Sequence, residues 1–402
     1  MPLFQTRVPL IIGSLSIAAL LPLHGEGFRN PPAGAFSLGR AGGRYAQNDD
    51  PSTVVHNPAN FVDFDSTRIS VAPSFVYIHV EHEAGGVKTE TTDPWKLLPN
   101  FFASMPIIDK KLAVGLGITT PYGLSNEWEK EGAFGPGGPF RYSAPWFTEM
   151  KTINANPAVS YRINDQLSIG GGLNVHWSEL TFKQIFPTGG PEMNVKANGD
   201  GFGFGGNAGI TWEFMEGHKL AATYRSPVRV EYEGTTKTDL AGNSPFETEV
   251  TFPTIISLAY GVELPNNVRV EISGEWLQFS NFKTLSIQAL GTTLNFPENW
   301  KNTFTAGFAA DWKFHENWTA RGGFQHYMTP VPDSTFSPTI PDSDQNVITL
   351  GLQYHRGRHE IEAAYGYDFY DKREINNGAG YPFNGKYEWN VHLFALSYNF
   401  SF

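Results

Sequence analysis

The chain has 402 residues, with 29 Lys and Arg against 40 Asp and Glu and a formal charge of −11, spread without a basic block, so nucleic acid is a poor partner. It contains no cysteine, which excludes disulfides, thiolate metal sites and cysteine nucleophiles and suits a protein that crosses an oxidising periplasm. Its 42 Gly and 28 Pro argue for many turns and against helical bundles.

At the N-terminus Arg7 precedes the apolar run Val8 to Leu23, "VPLIIGSLSIAALLPL", with the small Gly25 following as a cleavage position. This is the layout of a secretory signal peptide over residues 1–25, and the run is short for a spanning helix of about 20 residues. With no other apolar run of that length, the mature chain is either secreted and soluble or a membrane barrel. Residues 26–65 lack periodicity and are crowded with Gly, Pro, Asn and Asp, a composition that on its own permits a disordered arm.

From about residue 66 to 402 the sequence returns repeatedly to strand-length segments of period two. Leu112, Val114, Leu116 and Ile118 alternate with Ala113, Gly115, Gly117 and Thr119; Val268, Val270, Ile272 and Trp276 alternate with Arg269, Glu271, Ser273 and Glu275. Short turns at 109–110, 164–166, 215–218, 265–267, 315–317 and 356–358 alternate with long connections near 83–94, 125–150, 184–198, 234–248, 282–298, 330–344 and 372–388. Strands with tight turns at one end and long loops at the other predict an all-β fold, a fourteen-stranded antiparallel transmembrane β-barrel over 66–402. Trp177, Trp212, Trp276, Trp300, Trp318, Tyr365, Tyr367 and Phe369 are expected in its aromatic girdles. The last ten residues, "LFALSYNFSF", place Phe394, Leu396, Tyr398, Phe400 and Phe402 on the lipid face. A barrel this wide is not filled by its own side chains, so residues 26–65 are expected to fold inside it as an N-terminal hatch, or plug.

The loop from Ser125 to Met150 carries Trp128, Phe134, Phe140, Tyr142, Trp146 and Phe147. Exposed apolar clusters mark binding surfaces, so these are candidates for ligand capture, with Arg141 among them able to attract a carboxylate; the alternative is that they pack the loop on its neighbours. The first outer connection, Glu83 to Pro94, is polar and short, so if a capture groove needs two apolar loops, 184–198 with Phe186 and Met193 must supply the second. The glycine run Gly201 to Gly206 fits GxGxxG but lies in no βαβ pattern, which favours close strand approach over nucleotide binding. Arg225, Arg269, Arg321, Glu271, Glu275, Glu360, Glu362 and Asp368 fall on the non-lipid face, where paired charges would hold the hatch. His79 and His82 point to opposite faces of a strand, which argues against a metal site, and without a GxSxG elbow or other catalytic signature no enzyme activity and no cofactor are expected.

The stretches "GFRN", "SLGRAGG", "NDDPSTVVHNPANF", "DGFGFGGNAGITW", "YRSPV", "WKNTF", "NWTARGGF", "TPVPDSTFSPTIPDSD" and the final Phe402 together resemble the FadL-type outer-membrane transporters of long-chain fatty acids and hydrocarbons (OmpP1/FadL/TodX). The resemblance runs from about residue 27 to the end. It implies a hatch marked by Asn57, Pro58 and Ala59, a motif that by itself also reads as an ordinary Asx turn. It implies passive uptake of hydrophobic molecules, foremost long-chain fatty acids. They would pass from an extracellular groove to a lumen pocket and out past the hatch or through a lateral gap at a kinked strand. That strand is expected to be the third, 111–124, bending at Gly115, Gly117, Pro121 and Gly123. Lys183 becomes a candidate carboxylate partner, and Phe402 the signal read by the barrel assembly machinery. A monomer in contact with outer-membrane lipid and lipopolysaccharide is implied. An aromatic or aliphatic hydrocarbon channel, and a non-transporting adhesin or phage receptor on the same barrel, remain the other readings.

Overall fold

The computed structural model describes residues 26–402; the signal-peptide assignment to residues 1–25 lies outside them. Alternating segments pair in sequence order into one antiparallel sheet, and the last strand, Gly385–Ser401, closes it on the first, with Val71 opposite Tyr398 and Ser74 opposite Ala395. Fourteen staves result.

Five staves are broken at a proline, which has no N–H to give the ladder. Pro73 separates Arg68–Val71 from Ser74–Ala84, Pro99 separates Trp95–Leu98 from Phe101–Ile108, and Pro121 separates Leu112–Thr119 from Gly123–Glu127. Pro227 and Pro253 interrupt the seventh and eighth staves in the same way.

Facing follows the alternation. Leu173, Phe204, Leu258 and Leu350 are more than 60% exposed on the outside, while their neighbours Asn174, His176, Ser178 and Glu362 are fully buried inside. In the last strand Phe394, Leu396, Tyr398 and Phe402 face outward, and Ala395, Ser397 and Asn399 face inward. Trp300 departs from its expected place in the girdle. It lies in a loop, 3% exposed, stacked on Phe28 with ring centroids 5.1 Å apart; a tryptophan outside a strand is not bound by the strand's alternation. Several connections that looked long are also strand. Val228–Thr238 and Asn243–Phe252 leave only four residues between them, and Leu167–Phe186 and Met193–Met215 run deep into 184–198. A stave needs only about 9–11 residues to cross the bilayer, so these hairpins continue into water, where polar residues alternate as well.

The segment from Glu26 to Asp65 is buried within the barrel and carries two helical turns, Ala35–Gly39 and Thr53–His56, and a shorter one, Phe61–Asp63. Lumen charges meet it directly. Arg40 pairs with Asp311 at 2.7 Å, and Arg269 bridges Asp311 (2.7 Å) and Asp49 (2.9 Å), while Arg321 and Glu362 pair within the wall at 2.9 Å. Glu271 accepts the backbone N–H groups of Tyr45, Ala46 and Gln47 at 2.7, 3.1 and 2.9 Å. Arg225 donates to Val55 O at 2.8 Å. Charge-assisted bonds of this kind are roughly twice as strong as neutral ones, and here they join a segment without a sheet of its own to the wall.

Candidate functional site

The site begins at the break in the third stave. Phe101 opposite Ile118 ends the regular pairing of the second and third staves, and they meet again only where Thr92 N–H donates to Glu127 O at 2.6 Å and Thr91 faces Trp128. The wall is therefore open between 93–100 and 119–126. The N-terminal arm takes up the free backbone groups there. Asn30 N–H donates to Pro121 O at 3.0 Å, Gly123 N–H donates to Phe28 O at 2.9 Å, and Asn30 Nδ2 donates to Thr120 O at 2.8 Å. Pro121 and Gly123 thus sit at the bend. Gly115 and Gly117 do not; they lie in the regular stretch Leu112–Thr119, where a Cβ would come within 2.8 Å of Val54 and 2.3 Å of Val55. Their bareness makes room for the inner segment instead of bending the strand.

A cavity of about 490 Å³ opens at this gap, within the usual range of ligand sites. It is lined from the lumen by Arg29, Tyr327 and Asp368, and from the outer face by Trp95, Leu97 and Ile153, the last three exposed toward lipid. Arg29 holds Glu26 at 2.7 Å and grips Glu275 through two bonds of 2.8 and 3.0 Å.

Beside it, reached through Tyr122, lies a cluster of aromatic rings. Phe28 is boxed by Tyr122, Phe252, Phe279, Phe282 and Trp300 at centroid distances of 5.1–6.1 Å. Trp128, Phe134 and Phe140 belong to the same cluster, each at most 2% exposed. The structure therefore places these three in the packed interior of the loop region, where the Trp128 indole donates to Pro338 O at 3.0 Å. They do not form an open capture face.

A second apolar groove of about 360 Å³ lies at the long-loop end. The 125–150 loop gives it only Ser143 and Pro145. Phe186 lines it as anticipated, and Met193 does not. Its main wall is the hairpin Thr284–Ala289 and Thr292–Pro297, through Leu285, Ile287, Leu294 and Phe296. Sequence reading passed over this hairpin, although its apolar residues alternate. Glu298 closes the groove's edge; burial pushes its carboxyl up to about 7, against a bond from the Trp300 indole at 3.1 Å.

The two basic candidates are engaged. Arg141 holds Glu192 through Nε at 2.6 Å and through Nη2, and Tyr142 donates to the same carboxylate at 2.6 Å. These bonds hold Glu192 down at about 2. Lys183 lies over the rings of Phe147 and Trp146, at 4.0 and 5.2 Å.

At the short-turn end, Asn57 Nδ2 donates to Tyr45 O and Thr211 Oγ1, both at 2.8 Å, while its Oδ1 accepts Ala59 N–H at 3.1 Å. Pro58 and Asn57 press on Gly170 and Gly209, where an added Cβ would fall about 2.2 and 2.1 Å from Pro58 O and Asn57 Oδ1. The motif makes its own Asx turn and touches the wall through two glycines. Asp50, Glu360 and Glu362 offer carboxylate oxygens within 4.8 Å of one another, the one such group among the described residues. Asn399 donates to Asp50 and Glu360 and Arg321 to Glu362, so the cluster is already bonded without a metal. His82 packs between Phe140 and Tyr387, and His79 faces Glu90.

A closed antiparallel barrel with a lipid-facing apolar exterior and internal apolar cavities defines an outer-membrane β-barrel of the Gram-negative type. The chain belongs to the outer membrane protein transport protein family (OMPP1/FadL/TodX), whose model matches residues 24–402, a family of channels for hydrophobic small molecules. It is 27% identical to the long-chain fatty acid transport protein of Escherichia coli K12, over 94% of each chain. It is 22% identical to outer membrane protein P1 of Haemophilus influenzae, over 100% of this chain and 98% of that one. In fold it is similar to a Pseudomonas aeruginosa FadL homologue (TM-score 0.84, 20% identity, 94% and 100% coverage). It is also similar to the P. putida toluene transporter TodX (TM-score 0.75, 14% identity, 93% and 99% coverage).

Proposed function

We propose that this chain takes up hydrophobic molecules passively across the outer membrane, with the 360 Å³ groove as the capture site and the 490 Å³ cavity as the internal station. The observation that carries the reading is the inner cavity, lined at once by lumen residues and by lipid-facing Trp95, Leu97 and Ile153. Cargo leaves sideways there, at the bend of Pro121 and Gly123, without crossing water, where apolar surface costs roughly 25 cal/mol per Å². The inner segment acts as the hatch, held at Asn57, Pro58 and Ala59. Phe402 serves the assembly machinery, and the protein works as a monomer surrounded by lipid and lipopolysaccharide.

Long-chain fatty acids are the first cargo to test, in line with what the curated relatives are named for. Neutral hydrocarbons are the second reading, favoured by the engagement of Arg141 with Glu192. Uptake of labelled oleate, toluene and glucose by cells with and without the protein tests the assignment. Protein-dependent uptake of oleate or toluene but not glucose is expected. Uptake of neither would leave a surface barrel without a transport role.

A further inference from the structure

Of the five carboxyl groups that line the inner cavity, Asp93 and Glu149 pair with Lys96 and Lys151, both at 2.7 Å, and three remain, those of Glu26, Asp342 and Asp368. Two are satisfied. Glu26 holds Arg29 at 2.7 Å, while Asp342 accepts Gly27 N–H at 2.9 Å, the Thr329 hydroxyl, and Gln345 Nε2 at 3.3 Å. Asp368 differs. It is 5% exposed, and its buried Oδ1 accepts no hydrogen bond among the described residues. Its cross-strand neighbours are Val347 and Val391, both buried.

A carboxyl group set between valines and left unbonded costs free energy that nothing in the wall returns. A cargo molecule in the cavity is the partner that can supply the missing donor. The charge balance decides which cargo. The cations that line the cavity are all engaged: Arg29 is shared between Glu26 and Glu275, Lys96 pairs with Asp93 and Lys151 with Glu149, so an incoming carboxylate meets no free counter-ion.

We infer that Asp368 reads the polar end of the cargo and that this end is an uncharged or cationic hydrogen-bond donor, as in a long-chain alcohol, an undissociated acid or an amine, and not a carboxylate anion. This rests on the transport reading above and narrows its cargo. A site whose buried acceptor needs a donor discriminates strongly against analogues that lack one.

The test is displacement of radiolabelled decanol from the purified full-length protein in micelles at pH 8, using decanol, decylamine, decanoate and decane, on wild type, Asp368→Asn and Asp368→Leu. Partition into micelles is common to all three proteins and cancels between them. Decanol and decylamine are expected to compete about tenfold or more better than decanoate, which leaves the buried acceptor unsatisfied. Asp368→Leu should erase that gap, with decane unchanged. Asp368→Asn should keep decanol and lose the preference for decylamine. Decanoate matching decanol in wild type, or an order unaltered by Asp368→Leu, overturns the inference and leaves transport standing. If none of the four compounds competes, the transport reading falls too. The wild-type order alone decides should a variant fail to fold.

Discussion

Arg29 grips Glu275 with both ends of its guanidinium, Nη1 to Oε2 at 2.8 Å and Nη2 to Oε1 at 3.0 Å, joining the inner segment to the ninth stave. Glu275 also accepts from Arg44 at 3.0 Å, from Thr305 at 3.0 Å, and from the Tyr45 hydroxyl. Removing one member of a buried pair leaves an uncompensated charge and costs about 3–5 kcal/mol. Glu275→Ala leaves Arg44 without a carboxylate and Arg29 with Glu26 alone, so both ion pairs to the ninth stave are lost, whereas Arg29→Ala leaves Glu275 with Arg44. Limited proteolysis in mild urea should therefore release the inner segment much sooner from Glu275→Ala than from Arg29→Ala. Equal rates would show that this cluster is not what holds the segment.

Gly117 faces Val55 so closely that a Cβ would fall 2.3 Å from Val55 Cγ1. Gly117→Val is expected to destabilise the seated segment by about 1–3 kcal/mol through overpacking. Val55→Ala added to it should recover most of the loss, read as the urea midpoint for segment release. Failure of the second change to compensate would place the cost in the strand itself.

Phe28 fills an aromatic box whose cluster reaches the inner cavity at Tyr122 and the groove at Leu285 and Phe336. Phe28→Ala should cost about 3–5 kcal/mol of local stability and join the two spaces. Uptake of a neutral apolar dye by whole cells is expected to rise while barrel heat resistance on gels stays unchanged. A fall in uptake would mean that the ring carries cargo and does not bar it.

Glu298 titrates near 7 when folded against 4.5 in its ordinary range. Because burial disfavours its ionised form, the penalty is absent below about 4.5, grows as pH rises through 7, and is complete above it. The groove should bind an apolar fluorophore more weakly at pH 8 than at pH 5.5, and Glu298→Gln should hold the acid-side affinity throughout. A flat wild-type profile would contradict a buried Glu298.

Arg141 is bonded to Glu192 outside the bilayer. Arg141→Ala should loosen the 186–193 connection, seen as faster hydrogen exchange there, and leave oleate binding within about twofold, in keeping with the small worth of exposed ion pairs. Oleate binding lost with unchanged exchange would restore Arg141 as a cargo ligand.

Period-two alternation made the barrel readable, because each stave has one face in lipid and the other in a polar lumen, and the mismatch of a slipped register is severe. It also put Glu275, Glu362 and Asp368 inside. What alternation does not encode is contact between distant segments. The same rule could not tell that Trp128 and Phe140 turn into a loop core, since loops have no fixed facing. The groove wall escaped notice because 284–297 is short and gains its role only by standing over Phe182, Phe186 and Phe336. That Asp368 is unbonded while Asp342 is satisfied follows from where Gly27 and Thr329 sit, which no local pattern states.

The arm at Phe28 and Asn30 supplies the hydrogen bonds that the second stave withholds from the third around Pro121. In hydrocarbon a bare strand edge is prohibitive, each unpaired group costing several kcal/mol. The molecule thus carries its own removable patch. On the proposed lateral route, unsealing the wall and withdrawing the arm would be one motion, so cargo that levered Phe28 aside would also unlatch the side exit, and the membrane would not be asked to solvate an exposed backbone for longer than a single passage.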